Sequence, residues 1–310
     1  MNLYQKNIYN YFYQKFEIIS SSVLRDKIAR KIVFLNEKYT HNIYLNYIEV
    51  PITTCCTLRC KDCANLIQYY DKPYIINEKK IIKDIIKLAA GVKKINMLRI
   101  LGGEPLIHTE LFKILNDISQ IKNINKIQIV TNGTLLLNEK SLEIIRKNKK
   151  ISVFISNYGS VSEKYNVLIN QLKQNSIKYE TDKNIMWWVP QTEFYHHNRS
   201  RKEMEQIFQI CDIGCISLLD GKLHLCPRSS HGMELGLIRE NPEEYVDIRN
   251  AKTKKKIYKG IYKLFHVKTI SACDICNSFN SKNLPKIKPA QQISKENAKK
   301  QFLRIKSGII

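Results

Sequence analysis

The sequence predicts an α/β fold in which parallel strands alternate with helices, as a sheet or a barrel. Strand-length apolar runs such as YIEVPITT and KIQIVT alternate with amphipathic stretches such as NEKKIIKDIIKLAAGV. Hydrophobic residues make up 44% of the 310 residues, which is enough for a substantial core. Strands that alternate with helices pair in parallel through right-handed crossovers, so these observations together indicate an α/β architecture.

Each predicted element rests on a local pattern. Residues 1–45 are predicted to be helical because apolar side chains recur at near-helical spacing in SSVLRDKIARKIVFLNEKY, behind serines that can cap. Asn77 is a candidate N-cap for the helix of NEKKIIKDIIKLAAGV. The elements after that helix are the strand INMLRIL, a helix over about 110–119, the strand KIQIVT, the helix SLEIIRK, the strand ISVFIS, a helix over about 162–174, and the extended segments IKYETD and IMWWVP.

Composition limits the classes of protein to consider. No apolar run reaches the length of about 18 residues that a membrane span needs, and the N-terminus lacks the apolar block of a signal peptide, so we expect a cytoplasmic protein without membrane contact. The net charge of +23 comes from lysines spread along a chain that is also rich in Ile, Asn and Tyr. An AT-rich genome produces this mixture, so we expect no nucleic-acid partner; the alternative is an anionic substrate or partner.

Four short polar or cysteine-rich segments follow directly on predicted strands. They are CCTLRCKDC (55–63), GGEP (102–105), TNG (131–133) and SNYG (156–159). In folds of this type the binding sites lie at the carboxyl ends of the strands. We therefore expect the four segments to meet at one face.

The first cysteine group has the spacing CxxxCxxC, formed by Cys56, Cys60 and Cys63. In a reducing compartment such thiols indicate a metal or cluster rather than disulfides. Three thiolates can hold three irons of a cubane [4Fe–4S] cluster and leave the fourth iron open, which is typical of a catalytic centre. The alternative is a zinc knuckle that uses a distant histidine. Cys55 lies one position outside the spacing, and we interpret it as a packing residue.

The alternation of strands and helices stops after about residue 200. A hairpin, CISLLDGKLHLC, is followed by a lysine-rich helical stretch and the pair CDIC, which indicates a small domain held by a metal. The five cysteines in this part are Cys211, Cys215, Cys226, Cys273 and Cys276. A four-cysteine zinc ribbon would satisfy the same layout.

CxxxCxxC after the first strand of an α/β barrel resembles the signature of the radical S-adenosylmethionine (SAM) superfamily. The resemblance implies a partial (β/α)6 TIM-like barrel. It also implies that the open iron of the first cluster chelates SAM, and that reduction cleaves SAM to a 5′-deoxyadenosyl radical that abstracts a substrate hydrogen. Gly102, Gly103, Glu104 and Pro105 resemble the family's GGEP motif, in which the acid accepts from the amino group of SAM.

Further positions match the family less specifically. Thr131 and Asn132 lie where the family has contacts near SAM, and Ser156 and Asn157 resemble a pair that contacts the ribose; ordinary Asx-type turns are the alternative for both pairs. The family places an aromatic or apolar residue just before the third cysteine. Here that residue is Asp62, so we leave it out of the predicted site.

The C-terminal part resembles the twitch or SPASM extension of radical SAM enzymes, which holds an auxiliary [4Fe–4S] cluster. Cys211 followed by Gly221, Cys226 and the later CxxC pair fits one cluster and a twitch domain. The resemblance implies Cys211, Cys226, Cys273 and Cys276 as ligands. Cys215 is then a candidate catalytic hydrogen-atom donor, with the alternative that it replaces Cys211 as the ligand.

The predicted domains are an N-terminal helical segment (1–45), a radical SAM partial barrel (46–205), a twitch-type domain (206–285) and a basic tail (286–310). The chain is similar in layout to carbohydrate-acting enzymes of the 2-deoxy-scyllo-inosamine dehydrogenase and neomycin epimerase types. This implies a sugar-like small-molecule substrate, oxidation or epimerisation, and an electron donor such as flavodoxin or ferredoxin. The alternatives are a peptide-modifying maturase and a zinc-ribbon protein that binds nucleic acid.

Overall fold

In a computed structural model, residues 1–182, 195–211, 214–277, 279 and 283–307 can be described. The segment IMWWVP, for which the sequence predicts an extended conformation, lies outside these residues. The described strands are β1 Tyr44–Pro51, β2 Lys94–Leu101, β3 Ile124–Thr131, β4 Ile151–Ile155, β5 Tyr179–Thr181, β6 Ile216–Leu219, β7 Lys222–His224 and β8 Tyr245–Asp247. The described α-helices are α1 Leu3–Lys15, α2 Ser22–Leu35, α3 Glu78–Gly91, α4 Leu111–Ser119, α5 Glu139–Lys147, α6 Tyr165–Gln174, α7 Arg201–Ile210, α8 Pro227–Glu234, α9 Lys254–Leu264 and α10 Lys295–Ser307.

The described strands form one sheet in the order β5-β4-β3-β2-β1-β6-β7-β8. Strands β1 to β5 are parallel to their neighbours, and β6 is parallel to β1. Strands β7 and β8 continue the sheet in antiparallel pairing. The predicted α/β class, with alternating strands and helices, is confirmed.

The N-terminal segment is helical, as the sequence predicts. The rings of Tyr11 and Phe12 on α1 each lie 5.0 Å from the ring of Tyr44 at the start of β1. The predicted N-cap is also confirmed, because the Asn77 side chain accepts from the backbone amides of Lys79 and Lys80 at the start of α3. No helix in the described part of the chain combines the length and apolar character needed to cross a bilayer.

The sheet has one strongly apolar face. The register of β1 to β4 places Ile48, Leu98, Ile127 and Ile151 side by side, all at most 2% exposed. This row is the centre of the hydrophobic core, and similar rows at Val50 and Leu45 extend it. Burial of such rows is the main source of stability, at about 25 cal/mol per Å² of apolar surface.

The hairpin of β6 and β7 belongs to the same sheet as β1. The pattern after residue 200 predicts a separate small domain, whereas β6 pairs directly with β1 through Ile48–Ile216 and Glu49–Ser217. The hairpin turns at Asp220 and Gly221, with φ of 42° and 85°, the conformation that a two-residue turn of this kind requires. The sheet therefore continues across the predicted boundary at 205/206.

Candidate active site

The loop after β1 carries the CxxxCxxC cysteines at the carboxyl end of that strand. The pKa of Cys56 and of Cys60 is raised to about 12, mainly by burial and in part by the nearby Cys63 sulfur. The three sulfurs therefore share one space, as ligands to different irons of one cubane would. Among the described residues, no three His, Cys, Asp or Glu side chains are close enough together to ligate a single metal ion.

Amide groups point at these sulfurs. The Leu58 backbone amide lies 3.4 Å from the Cys56 Sγ, and the Gln292 Nε2 lies 3.3 Å from the Cys60 Sγ. Cys63 receives backbone hydrogen bonds from the residues just after it, which oppose the rise that burial causes in its pKa. N–H donors of this kind stabilise a thiolate, which is the form that binds iron. The donor set thus fits a [4Fe–4S] cluster.

The two glycines of GGEP allow a second loop to lie directly against the cysteine loop. Gly103 and Glu104 donate backbone hydrogen bonds of 2.9 Å to the carbonyls of Thr53 and Cys55. A Cβ at Gly102 would lie 2.2 Å from the Thr53 oxygen, and one at Gly103 would lie 2.1 Å from the Cys55 oxygen. Only glycine fits at either position. The motif therefore holds the cysteine loop, a role that the sequence pattern alone does not indicate.

Glu104 is fully buried beneath the TNG segment. Its carboxylate accepts from Thr131 Oγ1 at 2.8 Å, from the Asn132 backbone amide at 2.8 Å and from the Leu106 backbone amide at 3.0 Å. Burial raises the pKa of Glu104 to about 7, against the effect of these bonds. A carboxylate has about four acceptor positions, so one is left for the amino group of a ligand.

The TNG segment is joined to the cysteine loop. The Asn132 Nδ2 lies 3.6 Å from the Cys56 Sγ and 3.1 Å from the Thr57 Oγ1, while its Oδ1 accepts from Thr134 in an Asx-type turn. Asn132 therefore forms the Asx-type turn and also lies against the cysteine loop, while its contact with SAM stays a prediction.

The SN pair lies beside the TNG segment. The Ser156 backbone amide donates to the Thr131 carbonyl at 2.9 Å. The Asn157 Oδ1 accepts from Gly159 at 3.1 Å, which is the turn arrangement. Cysteine loop, GGEP, TNG and SN thus meet at one edge of the sheet.

Two features of this edge are absent from the sequence prediction. Asp62, which we left out of the predicted site, is 5% exposed, and its charge adds to the rise in the pKa of Cys60 that burial causes. The tail also reaches the loop, because Lys61 donates to the Gln291 carbonyl at 2.7 Å and Ile293 donates to the Arg59 carbonyl at 3.0 Å. Nothing in the lysine-rich tail sequence signals this contact, an isolated β-bridge between Cys60 and Gln292.

The second cysteine group assembles from distant parts of the chain. Cys211 ends α7, Cys226 precedes α8, and Cys273 and Cys276 lie in the loop after α9. The pKa of Cys226 is raised to about 12 and that of Cys273 to about 11, mainly by burial. The nearby Cys276 and Cys211 sulfurs contribute to both rises. The four predicted ligands thus lie near one another.

Arginine side chains hold the CDIC loop. Arg199 Nη1 donates to the carbonyls of Cys273, Asp274 and Cys276 at 2.8 to 3.0 Å. Arg228 Nη1 lies 2.6 Å from the Cys276 Sγ. His196 Nδ1 pairs with the Asp274 carboxylate at 2.9 Å. This second site therefore carries positive charge.

Cys215 lies near Cys226 and Cys211 of the second cysteine group, and their charges act on its thiol. It comes directly before β6 rather than within it, and its side chain forms a hydrogen bond with Glu49 on β1. Burial, and then the Glu49 charge, raise the pKa of its thiol well above the usual range. The structure thus places Cys215 between the second cysteine group and the polar face of the sheet.

A further network links the two cysteine regions. Tyr70, which follows the first cysteine loop, contacts the His231 Nδ1 at 2.8 Å and donates to Glu234 at 2.6 Å. Burial lowers the pKa of His231 to about 3, so the ring is neutral. Its Nε2 is buried and has no hydrogen-bond partner among the residues described.

Comparison with known proteins finds one matching family. Residues 50–175, about two fifths of the chain, match the family described as Radical SAM superfamily.

Similar curated proteins include the GTP 3′,8-cyclases of Clostridium acetobutylicum and Alkaliphilus oremlandii. The first is 39% identical over 98 residues, and the second is 38% identical over 94 residues. These matches cover 31% and 30% of this chain and 30% and 29% of the relatives. The chain therefore matches less than a third of their length.

Among solved structures, BtrN in complex with AdoMet and 2-DOIA is similar at a TM-score of 0.47 and 16% identity, over 77% of this chain and 96% of BtrN. Streptococcus suis SuiB bound to precursor peptide SuiA is similar at a TM-score of 0.39 and 18% identity, over 53% of this chain and 38% of SuiB.

Proposed function

We propose that the chain is a radical SAM enzyme that abstracts hydrogen from a carbohydrate or aminocyclitol carbon. The proposal rests on one observation: Glu104 lies close to Cys56, Cys60 and Cys63 at one edge of the sheet. The three sulfurs would hold a [4Fe–4S] cluster with one open iron. Glu104, Thr131 and Asn132 would hold the amino end of SAM, and Ser156 with Asn157 would lie near its ribose.

When bound, the cluster and SAM supply a 5′-deoxyadenosyl radical that takes a hydrogen atom from the substrate. The chain's own residues orient SAM and keep water from the radical. Cys211, Cys226, Cys273 and Cys276 would hold an auxiliary cluster on the other side of β1 and β6. An electron donor such as flavodoxin or ferredoxin would supply the reducing electron.

Two outcomes are open to a radical at a carbon that bears a hydroxyl group. If it loses one electron to the auxiliary cluster and one proton to solvent, it becomes a ketone. If instead Cys215 gives its hydrogen atom to the carbon, a C–H bond forms as the S–H bond breaks, and an epimer results. The hydrogen bond of Cys215 with Glu49 supports the second outcome.

A second candidate function is radical chemistry on a nucleotide. The named relatives act on GTP, and the net charge of +23 is compatible with an anionic substrate. The match covers less than a third of those enzymes, so the substrate does not transfer with the domain. Incubation with GTP under reducing conditions tests this candidate: conversion of GTP would favour it over a sugar substrate.

Anaerobic reconstitution tests the proposed function. The wild-type chain should take up about eight irons, two cubanes' worth, and should release 5′-deoxyadenosine from SAM on reduction. Cys56→Ala should lose about half the iron and all SAM cleavage. Cys55→Ala is the matched control and should keep both. Zinc in place of iron, without SAM cleavage, would contradict the proposal.

A further inference from the structure

The polar face of the sheet carries a row of side chains that no motif accounts for. The strand register places Ser217, Glu49, Arg99, Gln128 and Ser152 side by side across five strands. In each strand these polar residues sit between apolar neighbours that point to the other face. A row of this kind within a soluble core needs a reason, because each polar group loses water.

The row is held rigid by hydrogen bonds. Arg99 Nε donates to the Gln128 Oε1 at 2.7 Å, Arg99 Nη1 donates to the Tyr47 hydroxyl at 2.7 Å, and that hydroxyl donates to Glu49 at 2.9 Å. The guanidinium also lies over the rings of Tyr47 and Phe154, 4.9 and 5.1 Å from their centres. Arg99 is thus fixed where its charge balances that of Glu49.

One group in the row is left for a ligand. Gln128 is 0% exposed, and its Nε2 has no hydrogen-bond partner within the described ranges. A buried amide donor without a partner costs about 1–3 kcal/mol. The Gln128 Nε2 is therefore a donor that a hydroxyl group of a ligand would satisfy.

Cys215 reaches this row through Glu49. Ile216 pairs with Ile48 where β6 runs beside β1, and Cys215 directly precedes Ile216. The Cys215 side chain forms a hydrogen bond with Glu49 that opposes the rise which burial causes in the pKa of Glu49, as expected when the thiol donates to the carboxylate. A negative neighbour also disfavours the thiolate.

We propose that Glu49 is the positioning residue of the Cys215 thiol and holds its S–H hydrogen at the polar row, where a substrate carbon radical can take it. The inference rests on the proposed epimer-forming function. After donation, the sulfur is a thiyl radical. One electron from an iron–sulfur or flavin carrier and one proton that passes through Glu49 restore the thiol. A thiolate could not donate a hydrogen atom, and the negative charge of Glu49 disfavours that form.

Infrared spectroscopy of the anaerobic, iron-loaded enzyme tests this directly. With seven cysteines bound to iron, only Cys55 and Cys215 have S–H bonds, and Cys215→Ser identifies the second band by its loss. Glu49→Leu should move the Cys215 band to higher frequency, because the hydrogen bond is lost. Glu49→Gln, which keeps an acceptor oxygen, should move it less. Glu180→Gln, an exposed acid on β5, is the matched control and should leave the band in place.

The outcomes separate cleanly. An unmoved Cys215 band in Glu49→Leu, with full iron content, would overturn the role of Glu49. Loss of iron without loss of an S–H band in Cys215→Ser would make Cys215 a ligand and would also overturn it. The S–H bands can be measured without substrate and without SAM cleavage. The role of Glu49 can therefore be tested even if the proposed function is wrong. Glu49→Asp should restore most of the wild-type frequency, which a merely space-filling role would not require.

Discussion

The two cysteine regions of the molecule are built in opposite ways. The first places three sulfurs within nine residues of one loop, and its donors to sulfur are neutral amides, including those of Asn132 and Gln292. The second gathers four sulfurs from three separate segments, and two arginines hold it. The two cysteine groups therefore differ in the charge of the side chains that contact their sulfurs and loops.

The charge difference has a consequence for redox behaviour. The potential of an iron–sulfur cluster rises with nearby positive charge and with hydrogen bonds to its sulfurs. The first centre has Asp62 and Glu104 close to it, whereas the second has Arg228 against Cys276. We therefore expect the first cluster to have the lower potential, as reductive cleavage of SAM requires, and the second to accept electrons more readily.

The largest effect should come from Gly103→Ala. The new Cβ would lie 2.1 Å from the Cys55 oxygen and 2.9 Å from the Cys56 Cβ, so the cysteine loop must move. We expect loss of the first cluster with the second retained, and destabilisation of about 1–3 kcal/mol or more from overpacking. Iron analysis and thermal unfolding measure both. Gly236→Ala is the control for the clash, because nothing lies within 4 Å of the added carbon. Its φ of 68° costs alanine about 1 kcal/mol in stability, but it should keep all iron.

Arg199→Ala should affect the second cysteine group and leave the first unchanged. Three backbone carbonyls of the CDIC loop lose a charged donor, at a cost of about 1.5–3 kcal/mol in the free energy of unfolding. We expect about half the iron to be lost, all of it from the second centre, while SAM cleavage remains. Arg201→Ala removes only an exposed ion pair and should change unfolding by less than about 0.5 kcal/mol. Equal loss of iron from both centres would contradict the proposed difference between them.

Single donors to sulfur should shift potentials without loss of iron. Arg228→Met should lower the potential of the second cluster only, and Gln292→Leu should lower that of the first cluster only, by a smaller amount because an amide carries no charge. Redox titration followed by electron paramagnetic resonance resolves the two clusters. A shift in the wrong cluster would show that these contacts are not made in the loaded protein.

The smallest effect is a pH dependence of SAM binding. Burial raises the pKa of Glu104 to about 7, so the side chain is neutral below this pH and a carboxylate above it. The carboxylate is the better acceptor for the amino group of SAM. Affinity for SAM should therefore rise with pH up to about 7 and then level off, by at most about tenfold per unit. Glu104→Gln should bind SAM weakly and lose this dependence, which calorimetry can measure.

The sequence predicts local features of both centres well, because spacing within one loop is visible in one dimension. Cys56, Cys60, Cys63 and the GGEP segment follow their strands as expected and meet where parallel strands end. Gln292 could not be predicted, since it lies 232 residues from Cys60 and the tail around it carries only a lysine-rich pattern. Its contact depends on tertiary packing alone.

The polar row could not be predicted from the sequence, for a different reason. Glu49, Arg99 and Gln128 each interrupt an apolar strand, and that interruption is a signal the sequence contains. Their alignment, however, depends on strand register, which a single sequence does not give. The same limit applies to the hairpin, whose place beside β1 could not be inferred from its turn.

The most direct test of the account is whether SAM binds to one cluster and not to the other. Electron paramagnetic resonance of the reduced, reconstituted chain should show two cluster signals. Addition of SAM should change only the signal that Cys56→Ala abolishes, and it should leave unchanged the signal that Cys273→Ala abolishes. A SAM effect on the second signal, or no effect on either, would contradict the assignment of the three-cysteine loop as the open centre.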